Sequence, residues 1–409
     1  FRAGGDAPMT GPHPTRSAAD RNASTASSGG AVGGIDIEAV ELRRIELPLV
    51  APFQTSFGTW SYRDILLVRV TARGPAGPVE GWGECVAGTQ PLYSSEYTSA
   101  AEDVTVDHLL PRLFAAGVRH ADDVGPALAA VRGHRMAKAA VEAAVLDAEL
   151  RSAGRSMAEH LGATVDRVPV GVSIGILPTI DDLVATAARH LDEGYARIKV
   201  KIKPGWDVEP CRRLRAELGP DFGLQVDANA AYGPGDIDAL RALDEFDLLL
   251  IEQPYPEERI VDNIDLVQAI RTPVCLDETI VDEAVCDDVL RLGAADVINI
   301  KPGRVGGHLA GKRIHDACLA AGVPVWHGGM LETGVGRAAN LALAALPGFT
   351  LPGDISAAAR YWETDIVTEP AVLEADGTIR VPSGPGTGVE VDLDVLAEVT
   401  TTAARHERP

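Results

Sequence analysis

The chain has 409 residues, 46% of them hydrophobic and 23% charged, an ordinary composition for a globular protein of about two domains. A formal net charge of −22 argues against a nucleic-acid partner and against an anionic membrane surface, both of which need basic patches. No apolar run approaches the roughly 18 residues of a membrane span. The five cysteines (Cys85, Cys211, Cys275, Cys286 and Cys318) contain no CxxC pair, which predicts reduced, buried thiols in a cytoplasmic protein.

Residues 1–35 are rich in Gly, Ala, Ser and Pro and lack the apolar core of a signal peptide. They read as a disordered tail, with Met9 a candidate start and the fold beginning near Ile35. Next, "IEAVELRRIELPLVAPFQTSFGTWSYRDILLVRVTA" predicts strands joined by a glycine-bearing loop. Alanine-rich helices follow, through "HRMAKAAVEAAVLDAELRSAG", making an α+β domain over residues 36–160.

From residue 168 onward short apolar runs recur about every 25 residues, each stopping at a polar residue. "VPVGVSIGI" (168–176) comes first. The others end at Lys201, Asp227, Glu252, Asp277, Lys301, His327 and Asp354. Amphipathic stretches such as "VEPCRRLRAELG" and "AGKRIHDACLAAG" separate them, the latter closing on Gly322 as helices do. Eight strands alternating with helices predict a TIM-like (β/α)7β barrel over residues 161–358, with its site at the C-terminal strand ends. Residues 359–409 continue as strand-like pieces expected to return to the first domain.

In "RIKVKIKPG" (197–205), side chains two apart share a face, so Lys199 and Lys201 point inward while Val200 and Ile202 face the helices. Lys203 is expected past the strand end, in solvent. Asp227, Glu252 and Asp277 end three successive strands, and neighbouring strands lie about 4.7–4.9 Å apart. Their carboxylates should converge and repel unless a cation relieves them, and all-oxygen ligation favours Mg²⁺, with Mn²⁺ a substitute. Lys201 and Lys301, four strands apart, would face each other across the mouth. Lys199, one layer deeper, would lower the pKa of Lys201 and help it act as a general base. Two bases across a metal suggest removal of the proton next to a carboxylate, through an enediolate, and its return on either face. With one active lysine the same intermediate would expel a β-leaving group.

The order Lys-x-Lys, Asp, Glu, Asp, Lys resembles the muconate-lactonizing-enzyme-like branch of the enolase superfamily. "APFQTSFGT", "GWGEC", "PLYSSEY", "LQVDANAAY", "LLLIEQP", "CLDETI", "INIKPGRVGG", "GGMLETGVGRAAN" and "FTLPGDIS" are together similar to the N-acylamino acid racemase / o-succinylbenzoate synthase family, from about residue 36 to 400. The resemblance implies Asp227, Glu252 and Asp277 as Mg²⁺ ligands and Lys201 and Lys301 as the acid/base pair, acting on a small-molecule carboxylate in a homo-oligomer. It implies a capping domain over the site, with Phe57 in a specificity loop. Arg304 matches an arginine of members that racemise as well as dehydrate. Gly329 would leave room for substrate, and Ser173 and Asn229 are candidate substrate-side polar groups. The implied reactions are racemisation of N-succinylamino acids, or dehydration to o-succinylbenzoate for menaquinone synthesis.

Several features depart from the relatives or rival this reading. His327 lacks a strand-six aspartate to pair with and reads as structural. Asp354-Ile355-Ser356 stands where dipeptide epimerases carry Asp-x-Asp, and Gly88 replaces a bulky apolar residue. "GGHLAGKR" (306–313) misses the Ser/Thr of a P-loop. A metal-dependent barrel hydrolase would want His-x-His on the first strand, which "VPVGVSIGI" lacks. A non-catalytic barrel would be expected to have lost at least one of the five strand-end residues, and none is missing.

Overall fold

A computed structural model describes residues 33–55 and 58–409; residues 1–32 of the expected tail 1–35, and Phe57, lie outside the described residues. Three antiparallel strands, β1 (Asp36–Gln54), β2 (Thr59–Gly74) and β3 (Gly77–Cys85), open the fold. Alternation gives this sheet two apolar faces: Leu66, Val68 and Val70 enter one core cluster, while Ile65 and Leu67 enter another. The helix Arg135–Ala153 lies against β3 through small residues. A Cβ at Gly81 would strike the backbone at Ala144 and Ala148, and one at Gly83 would strike Ala140 O at 2.0 Å. Glycines two apart on the strand and alanines four apart on the helix therefore set this close approach.

The short strand β4 (Arg167–Pro169) is followed by seven strands of one parallel sheet. These are β5 (Val172–Ile174), β6 (Arg197–Lys201), β7 (Gly223–Asp227), β8 (Leu248–Glu252), β9 (Val274–Leu276), β10 (Val297–Ile300) and β11 (Val325–His327), in sequential order. Helices separate them, with side-chain caps such as Thr179 on Asp182 N (3.1 Å) and Asp282 on Val285 N (2.9 Å). The first expected strand divides in two: β4 pairs antiparallel with β12 (Thr378–Arg380), and β5 joins the parallel sheet.

The eighth expected strand is not regular. Its segment, residues 349–354, makes only bridges, Phe349 with Val325 and Gly353 with Val170. Pro352 offers no amide hydrogen to a ladder, which limits pairing there. Gly353 N still reaches Pro169 O (3.2 Å), Gly171 N reaches Gly353 O (2.8 Å) and Asp354 N reaches His327 O (2.8 Å). The segment thus spans from β11 to the β4–β5 junction.

The last strand, β13 (Thr400–Glu407), pairs antiparallel with β1. Two buried carboxylates fasten the halves. Glu84 on β3 accepts from Thr333 N (3.1 Å), Thr333 Oγ1 (2.6 Å) and Gly336 N (3.1 Å), at the start of the helix Gly334–Ala344. Glu142 accepts from His308 N (2.8 Å) and Leu309 N (3.1 Å), at the start of the helix His308–Ala321. All five cysteines are free and buried. No helix among the described residues is long and apolar enough to cross a membrane.

Candidate active site

Strand β6 is buried along its length, so its lysines need counter-charges. Lys201 Nζ donates to Asp227 Oδ2 (2.6 Å) and Asn229 Oδ1 (2.8 Å). Lys199 Nζ meets three carboxylates: Glu252 Oε2 at 2.9 Å, Asp227 Oδ2 at 3.2 Å, and Asp354. Burial alone would lower the Lys199 pKa, but Asp354, Glu252 and Asp227 raise it well above the ordinary value. The charge expected to act on Lys201 is thus shared among three anions. The two ammonium groups meet at a single acceptor, Asp227 Oδ2. Val200 and Ile202 lie in the apolar core and Lys203 is exposed.

Lys301, just past β10, donates to Asp277 Oδ2 (2.8 Å) and Tyr93 Oη (3.0 Å), with the Tyr93 ring centroid 4.8 Å away. Arg304 binds the other oxygen of Asp277. It also donates to Tyr93 Oη (3.0 Å), Ile280 O (2.8 Å) and Asn299 O (2.8 Å). Burial opposes the charges of Lys301 and Asp277, and their mutual contact wins: Asp277, with Arg304 also beside it, is held well below the carboxylate range and Lys301 well above the lysine range. Tyr93 was not among the expected site residues. It lies in the loop "PLYSSEY", whose proximity to Lys301 has no periodic signal in the sequence.

The registry places Lys201, Asp227 and Glu252 side by side, and Asp277 two residues beyond the Cys275 partner of Glu252. The expected convergence on one point is not an open cage: among the described residues no three carboxylate, imidazole or thiol groups stand ready around a cation. Each carboxylate also contacts an ammonium: Lys201 at Asp227, Lys199 at Glu252 and Lys301 at Asp277. Glu252, fully buried, also accepts from Asn299 Nδ2 (2.8 Å) and Gln225 Nε2 (3.3 Å); burial and Asp227 push its pKa up. The donor set is three carboxylates on successive strand ends, already facing cations, and it fits a hard divalent ion such as Mg²⁺ or Mn²⁺.

Lys199, Lys201 and Lys301 line one cavity together with Ser173, Asn229, Tyr93, Gly329 and Asp354. Phe53, Trp60, Met330, Leu331 and Tyr361 supply its apolar wall. Among the described residues Ser173 Oγ is buried without a hydrogen-bond partner. Asn229 links Lys201 to Glu278 Oε1 (2.9 Å). Gly329 borders the cavity, but its absent Cβ would fall 2.3 Å from Asp354 O. Close packing of the chain segments, more than room for substrate, explains that glycine. His327 is fully buried, with Nδ1 2.9 Å from Gly328 O and a pKa lowered to about 3 by burial, outside the cavity lining.

Residues 182–395 match the enolase C-terminal domain-like family, and residues 39–162 the mandelate racemase / muconate lactonizing enzyme N-terminal domain. An N-succinylamino acid racemase of Amycolatopsis sp is 56% identical over 365 residues, covering 89% of this chain and 98% of that one. An o-succinylbenzoate synthase of Geobacillus kaustophilus is 48% identical over 374 residues, covering 91% and 98%. The crystal structure of an enolase superfamily member from Listeria innocua superposes with a TM-score of 0.87 at 37% identity, covering 92% of this chain and 100% of that one. The chain belongs to the enolase superfamily, among the N-succinylamino acid racemases and o-succinylbenzoate synthases.

Proposed function

We propose that the protein removes and returns the proton α to a carboxylate, acting as an N-succinylamino acid racemase. One observation carries the reading: two buried lysines, Lys201 and Lys301, stand at strand ends four places apart and line the same cavity. A planar carbanion between two such groups can lose a proton to one and gain one from the other on the opposite face. In one direction Lys301 is the donor and Lys201 the acceptor; in the reverse direction the roles exchange. The electron pair left at the α-carbon moves into the carboxylate. A divalent cation held by Asp227, Glu252 and Asp277 would supply the positive charge that offsets it. Ser173 Oγ, buried and without a partner among the described residues, is suited to a polar atom of the acyl group, and the wall of Phe53, Met330 and Leu331 to an apolar side chain.

The architecture supporting this chemistry is read as a (β/α)7β barrel closed by the segment 349–354, with residues 36–160 as its cap. The bridges from Val325 to Phe349 and from Val170 to Gly353 support closure, and Tyr93 supports a cap that reaches the site. Dehydration to o-succinylbenzoate is the second reading, favoured by the relatives of that name at 48% and 47% identity. Dipeptide epimerisation is not favoured: Asp354 is bound by Arg197 and Lys199, and Ser356 Oγ donates to Gly171 O (2.9 Å), so neither is free to hold an amino group.

The test is chiral chromatography after incubation with N-succinyl-L-phenylalanine and Mg²⁺, beside an assay for o-succinylbenzoate formation. Appearance of the D-isomer supports the racemase. Synthase turnover with no D-isomer from any N-succinylamino acid would leave dehydration as the function.

A further inference from the structure

The structure assigns Asp354 the role of a positioning residue that holds Lys199 away from the oxygen used by Lys201. This rests on the two-lysine reading above and adds a residue to it.

Asp354 ends the segment that spans from β11 to the β4–β5 junction, where its amide is fixed on His327 O (2.8 Å). Its side chain turns into the sheet and meets two cations of β6: Arg197 Nη1 at 2.7 Å and Lys199 Nζ. All three groups are buried, Arg197 completely. Burial alone would raise the Asp354 pKa, and Arg197 and Lys199 more than offset it, leaving the carboxyl ionised. Below them lies the Trp326 ring, fully buried, 5.5 Å from Arg197 Cζ and 4.8 Å from Lys199 Nζ. Two buried cations this close to one ring need a nearby anion, and Asp354 contacts both.

The consequence falls on Lys201. Lys199 has three anionic neighbours, of which Asp227 Oδ2, at 3.2 Å, is the most distant, and this same oxygen is 2.6 Å from Lys201. With Asp354 present, Lys199 is drawn toward the closing segment and leaves Asp227 Oδ2 chiefly to Lys201. With Asp354 neutral, Lys199 has only Glu252 and Asp227 left, and its ammonium competes with Lys201 for that oxygen. Lys301 is held by other groups, Asp277, Arg304 and Tyr93, at a strand end four places away, and should feel the change less.

The experiment is α-proton exchange in D₂O, followed by proton NMR, with each enantiomer of N-succinylphenylalanine separately. Lys201→Ala and Lys301→Ala assign each enantiomer to one lysine. Asp354→Asn should then lower exchange of the Lys201-dependent enantiomer by about tenfold or more and change the other by less than about threefold. Arg197 would lose its counter-charge in that variant, so Arg197→Met/Asp354→Asn is measured alongside. It removes both buried charges and should show the same one-sided loss. Equal losses for the two enantiomers, or none, in a variant with a native circular dichroism spectrum would overturn the proposal. If the wild type exchanges neither enantiomer, the racemase reading itself fails, a result distinguishable from failure of the Asp354 role.

Discussion

Lys201 and Lys301 lie in one sheet and on one cavity, yet they are held by different means. Each donates to a strand-end carboxylate that a second cation also binds: Lys199 behind Asp227, Arg304 behind Asp277. On the Lys201 side every partner belongs to the parallel sheet or its loops. On the Lys301 side Tyr93 arrives from the other half of the molecule, 208 residues away in sequence, and Arg304 is pinned to two backbone carbonyls. A flexible ammonium stands behind one lysine and a fixed planar guanidinium behind the other. Two chemically identical side chains can therefore be sensitive to different parts of the protein, Lys201 to the packing of the sheet and Lys301 to how the antiparallel half sits over it.

The largest expected effect does not discriminate between the two sides. Chelation of divalent metal should reduce turnover to background, and Mg²⁺ should restore it; activity that persists after exhaustive chelation would contradict the assignment of Asp227, Glu252 and Asp277. Next, Lys201→Ala and Lys301→Ala should each lower racemisation by about 10³-fold or more. Each should still exchange the α-proton of one enantiomer, and the two variants should spare opposite ones. Loss of exchange with both enantiomers in either variant would break the picture of separate faces. Tyr93→Phe removes one hydroxyl from the Lys301 side. It should cost about tenfold in kcat on the Lys301-dependent enantiomer, the value of about one hydrogen bond to a charged group, and leave the other nearly unchanged.

The smallest effects concern the fastening between the halves. Glu84 and Glu142 cap helices that follow the strands nearest Lys301, and burial pushes the pKa of each from 4.5 up to about 7. A carboxyl whose folded pKa is raised favours folding while protonated, so stability should fall as pH rises from about 4.5 through about 7. Glu84→Gln and Glu142→Gln should flatten that decline in Tm, whereas Glu84→Ala should cost about 2 kcal/mol near pH 4.5, by leaving Thr333 and Gly336 without their acceptor, and less as pH rises through about 7. An unchanged pH profile in both glutamine variants would show that these carboxyls do not govern it.

The strand ends could be read from sequence because buried parallel strands are short apolar runs, and the polar residue ending each run is conspicuous. Thus β6, β7 and β8 end at Lys201, Asp227 and Glu252 as expected. The eighth strand was overstated because the run "FTLP" carries a proline that a ladder cannot use fully. The carboxylates could be placed but not their partners. Which ammonium meets which oxygen depends on side-chain reach across neighbouring strands, and no periodicity encodes that. Tyr93, Glu84 and Glu142 were not identified for a related reason: each acts across the boundary between the halves, where sequence spacing carries no information about distance. The role of Asp354 was hidden as well, since an acidic residue after a strand looks the same whether it faces solvent, a substrate amine or two buried cations.

The most direct test of the two-lysine account is the isotopic content of the first product molecules when the wild-type enzyme converts N-succinyl-L-phenylalanine in D₂O. If one lysine removes the proton and the opposite one supplies another, the D-isomer should carry deuterium at its α-carbon from the first turnovers. A D-isomer that retains the substrate's own α-proton in those first turnovers would mean that a single group carries the proton from face to face, and would contradict the account.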